Sequence, residues 1–301
     1  MMMDGSQDRA RPIVVGIDGS ESARHAVVWA AREAARRQAA LTIVHVCLPL
    51  EFGVPHEVPL PRSYGEAMMI QGRAWLDEAA AAARTAQPDI QVSTDLVRAD
   101  IASTLIERSA GAQLTVLGSR GLGGFTGLLV GSIAIALTSH GRGPVAIIQA
   151  ANLNAPPPTT GPVVVGVDGR NSDAAVDYAF EAASLRGVPL VAVQAWTESL
   201  DSSYWEVIPF VADWDAIEQA HRKHLSAQLA GWRQKYPHVE LQELTIQGRP
   251  AHSLIRQSRK AQLVVVGFRG RGGFAGLLLG STSHALLNHS ACPVVVARTP
   301  D

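Results

Sequence analysis

The sequence predicts an α/β sandwich with a parallel sheet, built twice in tandem, and three observations predict it. First, the chain repeats itself. Arg11-Pro-Ile-Val-Val-Gly-Ile-Asp-Gly19 returns as Gly161-Pro-Val-Val-Val-Gly-Val-Asp-Gly169, 150 residues on. Gly121-Leu-Gly-Gly-Phe-Thr-Gly-Leu-Leu-Val-Gly-Ser132 returns 149 residues on as Gly270-Arg-Gly-Gly-Phe-Ala-Gly-Leu-Leu-Leu-Gly-Ser281, identical at nine of twelve positions. A period this long is domain duplication rather than a solenoid. Second, short β-branched runs alternate with segments of helical periodicity. Third, the runs are continuously apolar, as in strands buried on both faces of a sheet with right-handed crossovers.

In the first unit, Ile13 to Ile17 reads as a strand. Ser20 and Ser22 offer N-caps, and Ala23, Ala26, Val27, Ala30 and Ala34 follow at helical spacing. Leu41 to Cys47 is a second strand. A loop with Pro49, Pro55, Pro59 and Pro61 leads to an Ala-rich helix from about Tyr64 to Thr85. Ile90 to Val97 is a third strand, Ile101 to Ala110 a short helix and Gln113 to Gly118 a fourth strand. After the glycine loop come a helix from Ser132 and a last strand, Pro144 to Gln149. The second unit repeats the plan, with strands near Val163, Leu190, Val239, Leu263 and Pro293, and Pro250 at the first position of a helix. The predicted divisions are a disordered start over 1–11, a first domain over 12–150, a proline-rich linker over 151–161 and a second domain over 162–299.

Composition narrows the functional classes. The formal net charge is −1, so no overall positive field draws the chain to nucleic acid or an anionic membrane. No apolar run approaches the roughly 20 residues that span a bilayer. The polar start, Met1 to Arg11, predicts no secretory signal, which makes the cytoplasm the expected compartment. Cys47 and Cys292, one per half, have neither the number nor the spacing of a disulfide framework or a zinc site, and read as buried thiols.

In open α/β sheets ligands sit beyond the carboxyl ends of strands, where strand order reverses. Asp18 and Asp168 end the first strands. The glycine loops Gly118-Ser-Arg-Gly-Leu-Gly-Gly and Gly267-Phe-Arg-Gly-Arg-Gly-Gly end the fourth strands. Glycines let backbone N–H groups close on an anion. Ser132 and Ser281 open the next helices, whose free N–H groups favour phosphate. Arg120, Arg269 and Arg271 add cationic donors. The aspartates suit ribose hydroxyls, or a water-bridged Mg²⁺. One such loop is as well explained by a tight turn; two near-identical copies, each paired with an aspartate, favour phosphate binding.

These loops resemble the nucleotide-binding universal stress proteins, which carry Gly, two residues, Gly, nine residues, Gly and then Ser or Thr. Gly118, Gly121, Gly131 and Ser132 fit that spacing, as do Gly267, Gly270, Gly280 and Ser281. The endings Gly143-Pro-Val-Ala-Ile-Ile148 and Ala291-Cys-Pro-Val-Val-Val296 are also similar to the family's last strand. The resemblance covers nearly the whole chain. It implies two tandem doubly wound five-stranded parallel sheets, Rossmann-like, ordered 3-2-1-4-5, each binding ATP with Mg²⁺. The ribose acid falls on Asp18 and Asp168, beside Gly16, Ile17, Gly166 and Val167, and the adenine wall on Val46 and Ala195. The phosphate loop falls on the glycines and serines above with Arg120 and Arg269, flanked by Leu117, Ile133, Val266 and Thr282. In the second loop Phe268 stands where Ser119 stands in the first. Gly248 corresponds to Ala99. The family's pairing through last strands puts Val145 to Gln149 and Val294 to Ala297 at an interface, within the chain or between chains, and implies a homodimer.

The remaining polar residues read as structural. His45, on the second strand, reads as a core or rim histidine; His140, His284 and His289 as solvated helix ends; Trp196, Trp205 and Trp214 as packing anchors; and Arg32, Arg36 and Arg37 as a solvated helix face. Ser132 and Ser281 are no nucleophile elbow, since nothing in the sequence supplies a paired base. The loops also lack the Gly-Lys-Ser/Thr ending of a P-loop and a Walker B carboxylate. The reading favoured is a stress-responsive ATP sensor with a regulatory protein partner and no catalytic residue. The alternatives are a slow ATP hydrolase or autophosphorylating enzyme, and a scaffold that binds no nucleotide.

Overall fold

A computed structural model describes residues 11–48, 62–121, 130–149, 155–168, 172–196, 214–268 and 279–298. The first unit runs β1 (Ile13–Ile17), α1 (Glu21–Arg37), β2 (Leu41–Cys47), α2 (Arg62–Ala86), β3 (Val92–Arg98), α3 (Ile101–Ser109), β4 (Leu114–Gly118), α4 (Ser132–His140) and β5 (Val145–Ile148). The second runs β6 (Val163–Gly166), α5 (Asp173–Arg186), β7 (Leu190–Trp196), α6 (Trp214–Lys235), β8 (Leu241–Gln247), α7 (Pro250–Ser258), β9 (Leu263–Gly267), α8 (Ser281–His289) and β10 (Val294–Ala297). The expected disordered start, most of the proline loop, Trp205 and the first part of the expected linker lie outside the described residues.

The strand order is β3-β2-β1-β4-β5-β10-β9-β6-β7-β8. Each half is thus the 3-2-1-4-5 sheet expected, and the two sheets join edge to edge. Neighbours within each half pair in parallel. At the seam β10 pairs antiparallel with β5, Val295 facing Ala146. The strands of the two units therefore point in opposite directions, and their carboxyl ends open at opposite rims. Of the two placements the sequence left open for the last strands, the chain uses the internal one.

Period-2 burial of the strands divides the core into two layers. Val15, Ile43, Val165 and Ala192 pack under α1, α2, α5 and α6, against side chains such as Ala30, Leu76, Phe180 and Leu229. Val14, Val44, Val164 and Val193 pack under α3, α4, α7 and α8, against Leu105, Leu137, Leu254 and Leu286. The outermost strands β3 and β8 are half-exposed rather than buried on both faces, because each has one neighbour only. Ser20 caps α1, its Oγ accepting from the Ala23 N–H at 3.1 Å. Ser22 does other work at the rim. Pro250 opens α7 as expected.

The expected solvated face of α1 needs correcting. Arg37 is 9% exposed, Arg36 is half-buried, and Glu33 between them is fully buried. They face α5 across the seam, where Arg37 donates to Glu181 at 2.8 Å.

Candidate functional site

The β1–α1 turn and the head of the first glycine loop are stitched together at one rim. Pairing of β1 with both β2 and β4 makes β1 the central strand at which order reverses. Asp18 follows its last residue. The Ser20 N–H donates to Asp18 Oδ1 at 3.0 Å, and Ser20 Oγ donates to the Arg120 carbonyl at 3.3 Å. The Arg120 N–H donates to Ser22 Oγ at 3.4 Å. The glycines here make room rather than merely bend. A Cβ on Gly118 would stand 2.5 Å from Ser22 Oγ and 2.7 Å from its backbone carbon, and a Cβ on Gly121 would stand 2.4 Å from Asp18 Oδ2. The acid and the loop thus occupy one crevice. Gly16 makes room in the same way: a Cβ there would stand 2.6 Å from Leu117 Cδ2 and 3.3 Å from Leu105 Cδ2.

The far end of the loop returns to the same place. The Gly131 N–H donates to the Ser119 carbonyl at 2.9 Å, closing the neck. Gly131 is then the N-cap of α4, in extended backbone and without a side-chain cap. The first helical N–H groups, from Ser132 and Ile133 onward, have no partner within the helix and carry the positive end of its dipole. Near the ends of β2 and β4, Val46 and Leu117 are buried in one core layer, each 7% exposed, and Ile17 at the end of β1 is buried in the other.

The second unit repeats the frame with a different wiring. The Gly280 N–H donates to the Phe268 carbonyl at 3.1 Å, and Gly280 caps α8 without a side-chain bond, ahead of Ser281 and Thr282. Ser283 Oγ donates to the Gly267 carbonyl at 2.9 Å. Val167 and Val266 are buried, and Gly166 and Ala195 half-buried. Asp168, however, is held by Ser172, whose Oγ accepts from the Asp168 N–H and donates to its Oδ1, both at 2.7 Å. The counterpart Ser22 bonds the glycine loop instead. Arg269, Gly270 and Arg271 lie outside the described residues, as does the interior of both loops.

Gly248 takes φ +138°, a conformation open to glycine, while Ala99 in the first unit keeps negative φ. The Phe268 ring is partly buried in the apolar layer and carries the Arg298 guanidinium.

Sequence reasoning missed the ring beneath the first turn. A Cβ on Gly19, at φ +83°, would stand 2.3 Å from Trp75 of α2. Trp75 meets His45 edge-on at 5.2 Å, and His45 Nδ1 lies 2.8 Å from the Ile17 carbonyl. His45 is a buried rim residue, as read. His140, His284 and His289 are exposed, and among the described residues no group of His, Cys, Asp or Glu could hold a metal ion. Trp196 stacks with Trp214 and with His221. Both cysteines are free and buried, and burial raises both thiol pKa values, that of Cys292 to about 12. No helix among the described residues is long and apolar enough to cross a membrane.

A duplicated, doubly wound sheet with an acid, a glycine loop and an open helix start at each switch point defines a class, and sequence comparison gives its family. The pattern of the universal stress protein family matches residues 9–149 and again 159–298. Universal stress protein Rv2623 of Mycobacterium tuberculosis is 40% identical over 292 residues, covering 95% of this chain and 96% of that one. Universal stress protein Rv2005c of the same organism is 38% identical over 291 residues, again covering 95% and 96%. The crystal structure of a universal stress protein from Archaeoglobus fulgidus superimposes with TM-score 0.68 at 19% identity, over 97% of this chain and 99% of that one. The chain belongs to the universal stress protein family, in its tandem form.

Proposed function

We propose that the chain is an ATP-binding regulator with one nucleotide site per unit, whose occupancy under stress selects conformation or partner. The observation that carries the reading is the convergence of Asp18, Gly121 and the uncapped start of α4 in one crevice, with Asp168 and the uncapped start of α8 at the matching places of the second unit. Phosphates would lie against the first-turn N–H groups of Ser132 or Ser281, with Arg120 or Arg269 supplying charge. The ribose would meet Asp18 or Asp168, and adenine would rest on Val46 or Ala195. Mg²⁺ would be carried on the phosphates. An invariant P-loop lysine is missing from both loops, which supports binding over fast hydrolysis. The protein would act in the cytoplasm. Since β5 and β10 pair with each other, a homodimer or a regulatory protein partner would use another surface.

The test is calorimetric titration of ATP with Mg²⁺ into nucleotide-stripped protein. Two sites per chain is the expected result. One site would place the loss on Phe268 or Ala99, and none would leave a scaffold. At a hundredfold excess over Kd, binding adds about 2.7 kcal/mol to stability, read as a rise in Tm.

A further inference from the structure

Each helix after a glycine loop is held at its far end by the other unit, and the two holds differ. The guanidinium of Arg298, the residue after β10, lies on the ring of Phe268 with its Cζ 3.9 Å from the centroid. Its Nη1 donates to the Gly141 carbonyl and its Nη2 to the Thr138 carbonyl, at the carboxyl end of α4. Across the seam the pseudo-equivalent Gln149 donates through Nε2 to the carbonyls of Leu286 and Leu287, at 3.3 and 2.7 Å, near the end of α8.

The topology makes this meeting unavoidable. A crossover helix runs against its strands, so α4 starts at its own unit's carboxyl rim and ends at the opposite one. The antiparallel seam puts the carboxyl ends of β9 and β10 at that opposite rim. Nine residues, about 13 Å of helix, then separate the open N–H groups of α4 from the Arg298 fork. Phe268 belongs to both ends of the relay. Its carbonyl closes the neck of the second glycine loop on the Gly280 N–H, while its ring seats Arg298. A guanidinium on terminal carbonyls makes charge-assisted bonds and opposes the negative end of the dipole, which a neutral amide does less strongly.

We propose that Arg298, seated on Phe268, is a positioning residue for the phosphate helix of the first unit, so that the first site is completed from the second. The inference rests on the nucleotide reading above and adds a direction to it: the first site depends on a charged fork, the second on a neutral one.

The experiment is ATP calorimetry on the full chain with one site silenced at a time. In a Gly280→Val background, where the first site alone reports, Arg298→Ala weakens ATP binding about tenfold. Phe268→Ser, which copies Ser119 and removes the seat, weakens it in the same direction. Arg298→Gln, which copies Gln149, restores most of the affinity. In a Gly131→Val background, where the second site reports, Arg298→Ala leaves Kd unchanged. A merely structural arginine would weaken both sites together and gain nothing from glutamine. An unchanged first-site Kd in Arg298→Ala and Phe268→Ser, or equal losses at both sites, overturns the proposal. If Arg298→Ala does not fold, Phe268→Ser and Arg298→Gln decide it alone. Should both silenced parents fold and bind no ATP, the nucleotide reading itself fails, and that result is distinct from loss of the relay.

Discussion

Glu33 of α1 and Arg186 of α5 meet at 2.5 Å across the seam, both side chains almost wholly buried. They anchor a network in which Arg37 donates to Glu33 and to Glu181, each at 2.8 Å, and lies over the ring of Tyr178 at 4.8 Å. Burial alone would raise the Glu33 pKa, but Arg186 and Arg37 outweigh it and hold the carboxyl at about 2. The same burial pushes the Tyr178 phenol up to about 12.

The pH consequence has a definite sign. A depressed carboxyl stabilises the fold fully above its ordinary pKa of 4.5, and that stabilisation is lost as pH falls from there toward 2. The loss is on the order of 3 kcal/mol. Glu33→Gln leaves the buried Arg186 without its carboxylate, while Arg37 keeps Glu181, and costs about 3–5 kcal/mol at neutral pH. Thermal melts from pH 7 to 2 should show the variant lower at pH 7 and flatter below pH 4.5; a wild-type slope in the variant would refute the assignment.

The two glycines that bound the first loop should respond oppositely. Among the described residues a Cβ on Gly131 meets only the Ser119 carbonyl, at 3.9 Å, so Gly131→Val keeps the fold and its unliganded Tm while its methyls block the helix start. ATP stoichiometry then falls by one site per chain. Gly118→Val drives a Cβ against the backbone of Ser22 and lowers Tm before any ligand is added. Undiminished stoichiometry in Gly131→Val would misplace the site.

Trp75 lies against the turn that carries Asp18, so its fluorescence should report the first site. Nucleotide that reshapes the Asp18–Gly19 turn changes the packing of the indole, and a shift in emission on adding ATP is expected. Trp75→Phe should remove that shift although five of the six tryptophans remain. The same shift in the variant would assign it to another ring.

Both thiols should be silent in the folded chain. Burial raises their pKa values, most strongly for Cys292, so little thiolate forms at pH 8. A thiol reagent should titrate none natively and two per chain after unfolding. Rapid native labelling of one equivalent would show a more open strand end than the structure has.

The sheet was legible because its signals are local: β-branched runs, the Ser20 cap, Pro250 and two copies of one glycine pattern. The crevice was legible for the same reason, since Asp18 and Gly118 each end an apolar run. What the residues did not reveal depends on partners far along the chain. Arg37 looks solvated on a helical wheel, and only Glu181 and Tyr178, some 140 residues later, make it a core residue. Trp75 and Arg298 carry no motif. Their roles come from the fold bringing α2 under the first turn and the residue after β10 to the end of α4.

The antiparallel join of β5 to β10 has a consequence in mass action. Two separate chains paired through such strands would part on dilution, whereas here the pairing is intramolecular, at an effective concentration on the order of millimolar for a short tether. The seam therefore persists at any protein concentration. A concentration-dependent change in size must come from a different face, and whatever passes through the seam is settled within a single molecule.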